Sequence, residues 1–170
     1  MRHGWAAIAC IEMTVRDLNA MDRESFVAAV AWIFEDSPWV ARRAWDARPF
    51  ASIQAMHQAM VRQVQSATRA EQLALLRAHP DLGTRARMSA ASTNEQASAG
   101  LDQLTSKDCA DLQAYRDKFG FPFLFAVKGS SKGDIMEALR RRVVADAEAE
   151  IAEALAQVYR IAWFRLEDSK

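Results

Sequence analysis

The chain has 170 residues, with 22 basic and 22 acidic side chains and a formal net charge of zero. That length suits one domain with a real hydrophobic core, and the charge balance offers no basic footprint for nucleic acid. Hydrophobic residues make up 51% of the chain, yet no apolar run reaches the ~18 uninterrupted residues of a membrane-spanning helix, so no membrane is expected.

Only six glycines and four prolines punctuate the sequence, and Ala, Leu, Arg, Gln and Glu are plentiful. This composition favours an all-α protein, a single-domain helical bundle of about seven to nine helices. Cys10 and Cys109 lack a CxxC partner and read as free thiols in a reducing compartment. His3, His57 and His79 are scattered, so no metal site is expected. The opening MRHGWAAIACIEMTVRD carries a short apolar patch broken by Glu12, which does not read as a signal peptide. Residues 1–17 are taken as an N-terminal extension and a candidate for disorder, and residues 18–170 as the domain.

In chain order, Asp22 caps a helix whose apolar positions Phe26, Val27, Val30, Ile33 and Phe34 share one face. Glu35-Asp36 ends that run. Ser37-Pro38 starts the next helix, with Ser as cap and Pro at the first helical position, and Pro49 closes it. Ser52 opens a third helix with Ile53, Met56, Met60, Val61 and Val64 inward. His57 borders that stripe with no acid or cysteine one turn away, and reads as structural or surface. Thr68 and Glu71 form a capping box that opens a fourth helix running to His79.

His79 precedes Pro80, which disfavours the helical region for its predecessor and donates no N–H. The imidazole is thereby placed at a helix end, where it can face a cleft and exchange a proton near neutral pH. The plain alternative is a helix terminus with a satisfied polar group.

From Arg85 to Gly100 the sequence is small and polar. Within it Ser92-x-x-Glu95 matches a capping box, so Glu95 reads as a backbone cap or as a functional carboxylate. Thr105 or Ser106 caps a helix with Leu112, Tyr115 and Phe119 on its face, and Gly120 is placed as a left-handed stop. Phe121–Val127 is too apolar for a surface loop and too interrupted for a helix. It is expected to cross the interior extended, its backbone groups partnered by a polar ligand or by a neighbour or water. Lys128–Gly133 is a turn without the spacing of a phosphate loop. Asp134 is expected to cap a helix with Ile135, Leu139 and Val143.

A last helix runs from about Asp146 to Leu166. Ile151, Leu155, Val158, Ala162 and Leu166 form its apolar stripe, and Arg165 projects about 20° outside it. That guanidinium must snorkel outward or meet a buried anion, and near a helix end snorkelling is the expected outcome.

Taken together, FEDSPWVA at Phe34–Ala41, RPF at Arg48–Phe50, LLRAHPDLG at Leu75–Gly83, STNEQASAGL at Ser92–Leu101, KFGFPFLFAV at Lys118–Val127 and IAWFRL at Ile161–Leu166 carry a resemblance. In this order and at these separations the chain resembles the 2-oxo-4-hydroxy-4-carboxy-5-ureidoimidazoline (OHCU) decarboxylases of urate degradation, over roughly Leu18 to Leu166.

The resemblance implies a helical bundle, usually a homodimer, that converts OHCU to (S)-allantoin and CO2 without a cofactor. It also implies that His79 is the catalytic histidine, with Pro80 beside it against the ligand. Ser92, Thr93, Asn94, Glu95 and Gln96 match a substrate-contacting loop, with Glu95 joining His79 and Arg165 as the catalytic group. Phe123, Leu124, Phe125, Ala126 and Val127 match a segment that offers backbone groups to the substrate ring, and Arg165 matches an arginine that meets the substrate's polar groups. Association with a 5-hydroxyisourate hydrolase is a further implied partnership, although no fused hydrolase domain is recognisable in the sequence. The chain ends Glu-Asp-Ser-Lys rather than in a peroxisomal address, so the cytoplasm is expected.

The chemistry is consistent with this set. Losing CO2 leaves an electron pair that needs a sink; the sequence carries no thiamine or flavin fingerprint, and no local pattern marks a Schiff-base lysine. A ring C=N in the substrate can take that pair. The protein's tasks are then to orient the carboxylate, move protons and protonate one face. His79 suits proton transfer, Glu95 can bind or protonate ureido and ring N–H groups and raise the histidine's pKa, and Arg165 can hold a carboxylate or oxyanion. Rival readings are a non-catalytic helical scaffold for other pathway enzymes, and a hydrolase or lyase acting on a related ureide.

Overall fold

Side-chain caps set most of the helix starts. In the computed structural model, which describes residues 13–82 and 100–169 with the side chain of Asp102 excepted, Thr14, Thr68, Thr105 and Ser131 each form a reciprocal capping box with the acid three residues on. Asp22, Ser52 and Asp146 each accept a hydrogen bond from the backbone N–H three residues ahead. Each such cap satisfies donors that a helix start otherwise leaves open.

The described residues form eight α-helices: α1 (Val15–Ala20), α2 (Arg23–Val30), α3 (Pro38–Ala44), α4 (Ile53–Gln65), α5 (Arg69–Ala78), α6 (Ser106–Phe119), α7 (Lys132–Arg142) and α8 (Ala147–Asp168). No strand occurs among them. The all-α expectation holds, and no described helix is long and apolar enough to cross a membrane.

Four details differ from the expectation. Helix α1 starts at Val15, so the last three residues of the supposed extension are helical. The Asp22 helix stops at Val30 and tightens into a 3-10 turn over Ala31–Ile33, although Phe26, Val27, Val30, Ile33 and Phe34 are all buried. Ser131 caps α7, while Asp134 is the third helical residue and returns the second bond of the box. Ser37 makes no side-chain cap; its hydroxyl donates to Glu35 O at 2.8 Å instead.

Helix α8 organises the packing. Its predicted stripe of Ile151, Leu155, Val158, Ala162 and Leu166 is buried throughout, and it contacts α4, α5 and the Ala31–Ile33 turn. Each large side chain of this kind contributes about 1.5–3 kcal/mol on burial. Helix α3 packs on α2 and α4, and α6 packs on α7. The N-terminal helices and the end of the last helix are thus neighbours, and this brings distant polar residues together.

Candidate active site

Leu75 and Leu76 anchor α5 in the core, and the chain turns out of the helix three residues after Leu76. His79 adopts extended backbone (φ −72°, ψ 141°), as the following Pro80 requires. The residue is 6% exposed, and Nδ1 lies 3.0 Å from Leu75 O. A carbonyl only accepts, so Nδ1 carries the proton and the neutral ring keeps its lone pair on Nε2. Burial pushes the imidazole pKa down to about 4; the Leu75 bond opposes this, Arg165 adds to it, and the charges of Glu35 and Asp36 also oppose it. The ring is therefore a neutral base at pH 7. The expected rise from Glu95 is not part of this balance, because Glu95 lies outside the described residues.

Two contacts fix the loop that carries His79. Arg77 Nε donates to Gly120 O at 2.9 Å, and Arg116 pairs with Asp81. Both reach the end of α6, where Gly120 takes the left-handed conformation (φ 78°) that sequence reading assigned to it. The partly buried Pro80 and the buried His79 are thereby tied to the start of the Phe121–Val127 segment.

That segment runs without helix or strand, with only Phe125 not fully buried. Two of its backbone groups are held by side chains, and Val127 O accepts from Ser130 N–H at 2.9 Å. Leu124 O accepts from Arg142 Nη1 at 2.7 Å, and Ala126 N–H donates to Gln157 Oε1 at 2.9 Å. Arg142 also lies over the Phe123 ring, 4.5 Å from its centroid, and pairs with Glu150 at 2.5 Å. Glu150 additionally accepts the Tyr115 hydroxyl, and burial, followed by that carboxylate, raises the phenol's pKa well above its ordinary value.

Arg165 does not snorkel. Its side chain is 2% exposed, and Nη2 lies 2.8 Å from Glu35 Oε2. Nη1 donates to Trp32 O and Ile33 O at 3.2 and 3.4 Å. The guanidinium found the buried anion because the packing of α8 on the Ala31–Ile33 turn leaves it no route to water.

Glu35 is the residue that sequence reasoning missed, having taken it as the end of an apolar run. After the 3-10 turn, Asp36 enters the left-handed region (φ 43°) and Ser37 N–H bonds Phe34 O at 3.2 Å, which turns Glu35 inward. The available signal was an acid flanked by a core Phe and a Ser-Pro helix start, in a chain with an arginine beside an apolar stripe.

The structure thus brings His79, Arg165 and Glu35 into one buried group. Ser92, Thr93, Asn94, Glu95 and Gln96 lie outside the described residues. Phe123, Leu124, Phe125, Ala126 and Val127 follow the α6 stop to which the His79 loop is pinned. His57 is structural: its Nε2 lies 2.9 Å from Tyr159 O, beside an open cleft of about 490 Å³ between α4 and α8. Among the described residues, no three His, Cys, Asp or Glu side chains group to hold a metal ion.

A helical fold that keeps a neutral imidazole dry beside a paired guanidinium and carboxylate has the make-up of an acid–base enzyme for a small polar substrate. The sequence comparisons are specific: the chain belongs to the OHCU decarboxylase family, whose model matches residues 19–167. It is 49% identical over 160 residues to the 2-oxo-4-hydroxy-4-carboxy-5-ureidoimidazoline decarboxylase of Halalkalicoccus jeotgali, covering 92% of this chain and 91% of that protein. The Haloferax volcanii protein of the same name is 46% identical, with 92% and 96% covered. A solved (S)-allantoin synthase is similar at 30% identity with a TM-score of 0.71, covering 92% of this chain and about half (54%) of the other.

Proposed function

We infer that this chain is a carboxy-lyase that converts OHCU to (S)-allantoin and CO2 in urate degradation, with His79 as its base. The observation that carries the role of His79 is its tautomer: a dry, neutral ring whose Nδ1 is committed to Leu75 O and whose Nε2 can accept a proton.

The chemistry follows from the substrate's functional groups. The bond from the ring carbon to the carboxylate breaks, and its electron pair forms a ring C=C while the adjacent C=N pair moves onto nitrogen, which takes a proton. Loss of the hydroxyl proton to His79 Nε2 then restores a ring carbonyl, and a proton delivered to one face of the neighbouring carbon fixes the S configuration. The substrate supplies its own electron sink, so no cofactor is called for. Arg165 binds the carboxylate or the developing oxyanion, and Glu95 meets ureido and ring N–H groups. Ser92, Thr93, Asn94 and Gln96 surround the ligand, with Pro80 against it and backbone groups of Phe123–Val127 along the ring.

Three further elements belong to this reading: a homodimer, a cytoplasmic location, and association with a 5-hydroxyisourate hydrolase that would deliver the unstable substrate. Circular dichroism of freshly generated OHCU, with and without protein, tests the reaction. Accelerated formation of one-handed allantoin with CO2 release is expected; an unaccelerated racemic product, or ring opening without CO2, overturns it.

A further inference from the structure

The FEDSPW turn of Phe34–Trp39 is a part of the family resemblance to which the chemistry above gives no task. Its geometry supplies one. The left-handed Asp36 and the Ser37 Oγ–Glu35 O bond turn the Glu35 carboxylate inward, where it is 5% exposed. The same short stretch holds both ends of the Arg165 guanidinium: the carbonyls of Trp32 and Ile33 accept from Nη1 and the carboxylate of Glu35 accepts from Nη2. The charged groups that act on His79 from the described elements are Arg165, Glu35 and Asp36.

We propose that Glu35 is a positioning residue of the decarboxylation: it holds Arg165 in place and offsets its charge, so that the guanidinium orients the substrate carboxylate without stabilising it against loss of CO2. This rests on the first of the two roles given to Arg165 above, binding of the substrate carboxylate. The physical reason is differential binding. A dry, uncompensated guanidinium would grip the starting carboxylate more tightly than a transition state in which that charge is already leaving, which lowers KM and kcat together. A guanidinium balanced by a buried carboxylate still orients the substrate but favours its ground state less.

The test measures kcat and KM for Glu35→Gln, Glu35→Asp and Arg165→Gln, and for Glu35→Gln combined with Arg165→Gln. Glu35→Gln keeps the shape and an acceptor oxygen but removes the charge; its KM is expected to fall several-fold and its kcat by about tenfold. Glu35→Asp keeps the buried charge pair, and with it the fold, but shortens the reach; a kcat loss of about tenfold at near-parental KM is expected. In the Arg165→Gln background, Glu35→Gln should add nothing to the loss in kcat. Parental kcat and KM in Glu35→Asp together with either the same in Glu35→Gln or a Glu35→Gln chain that does not fold, or losses that simply add in the double variant, would overturn the role of Glu35. If Arg165→Gln itself leaves both constants unchanged, the reading of Arg165 fails instead, a result distinct from failure at Glu35.

Discussion

Two buried arginine–glutamate pairs among the described residues solve the same electrostatic problem in different ways. Arg142 and Glu150 are eight residues apart and sit at the facing ends of consecutive helices. Their remaining bonds close the group on itself, with Tyr115 on Glu150 and Leu124 O on Arg142. Arg165 and Glu35 are 130 residues apart and lie beside a histidine kept neutral by burial. The first pair is a clamp that holds an extended apolar segment in place. The second lies against the imidazole that we read as the base. Burial of an ion pair therefore does not by itself single out a candidate site; an adjacent titratable ring, with one nitrogen committed and the other an acceptor, does.

The largest separation between the two should come from His79→Asn. It adds no buried charge, so the fold should survive by circular dichroism, while kcat/KM should fall ~10²–10⁴-fold in the allantoin assay. Near-parental activity would remove the distinction between the two pairs.

The clamp should respond in the opposite sense. Arg142→Met leaves Glu150 buried without its cation and should cost about 3–5 kcal/mol in urea unfolding. Replacing Glu150 with Leu as well should recover most of that loss and keep kcat. An equivalent apolar replacement of Glu35 and Arg165 should recover stability and lose activity.

The pH dependence of stability isolates His79. Its folded pKa, about 4, lies below the ordinary histidine value of 6.5. The unfolded chain therefore binds more protons between those values, and stability rises with pH across that window. As pH falls from about 6.5 toward 4, the chain should lose on the order of 3 kcal/mol that His79→Asn does not lose. The acid limb of kcat/KM should likewise lie well below pH 6.5, whereas an exposed histidine would place it there. The smallest expected effect is Tyr115→Phe. It removes one donor to Glu150 while Arg142 remains, costing about 1–2 kcal/mol with kcat unchanged.

Much of the fold was legible because it is locally encoded. Thr68-x-x-Glu71, Ser52, Asp146, Gly120 and the α8 stripe each sit within one or two turns of the residues they act on, and the structure places them as read. His79 was legible for the same reason, since Pro80 acts on its immediate neighbour. The misses are long-range. Whether Arg165 snorkels depends on what packs over it, and that is a turn 130 residues earlier, closed by a left-handed Asp36 that no local pattern required. Likewise Leu124 O and Ala126 N–H are partnered by neighbours, one of the expected alternatives, but the neighbours are side chains of α7 and α8. No periodicity in the segment itself names them.

The pairing of Glu35 with Arg165 has a consequence for biosynthesis. A ribosome delivers Glu35 first and His79 next, and the guanidinium emerges only 130 residues after Glu35. Until then the nascent polypeptide must keep an acid destined for the interior hydrated or otherwise partnered, which disfavours early consolidation of the amino-terminal helices around it. Catalytic competence should therefore appear abruptly, with the arrival of α8, rather than build up as each helix is made.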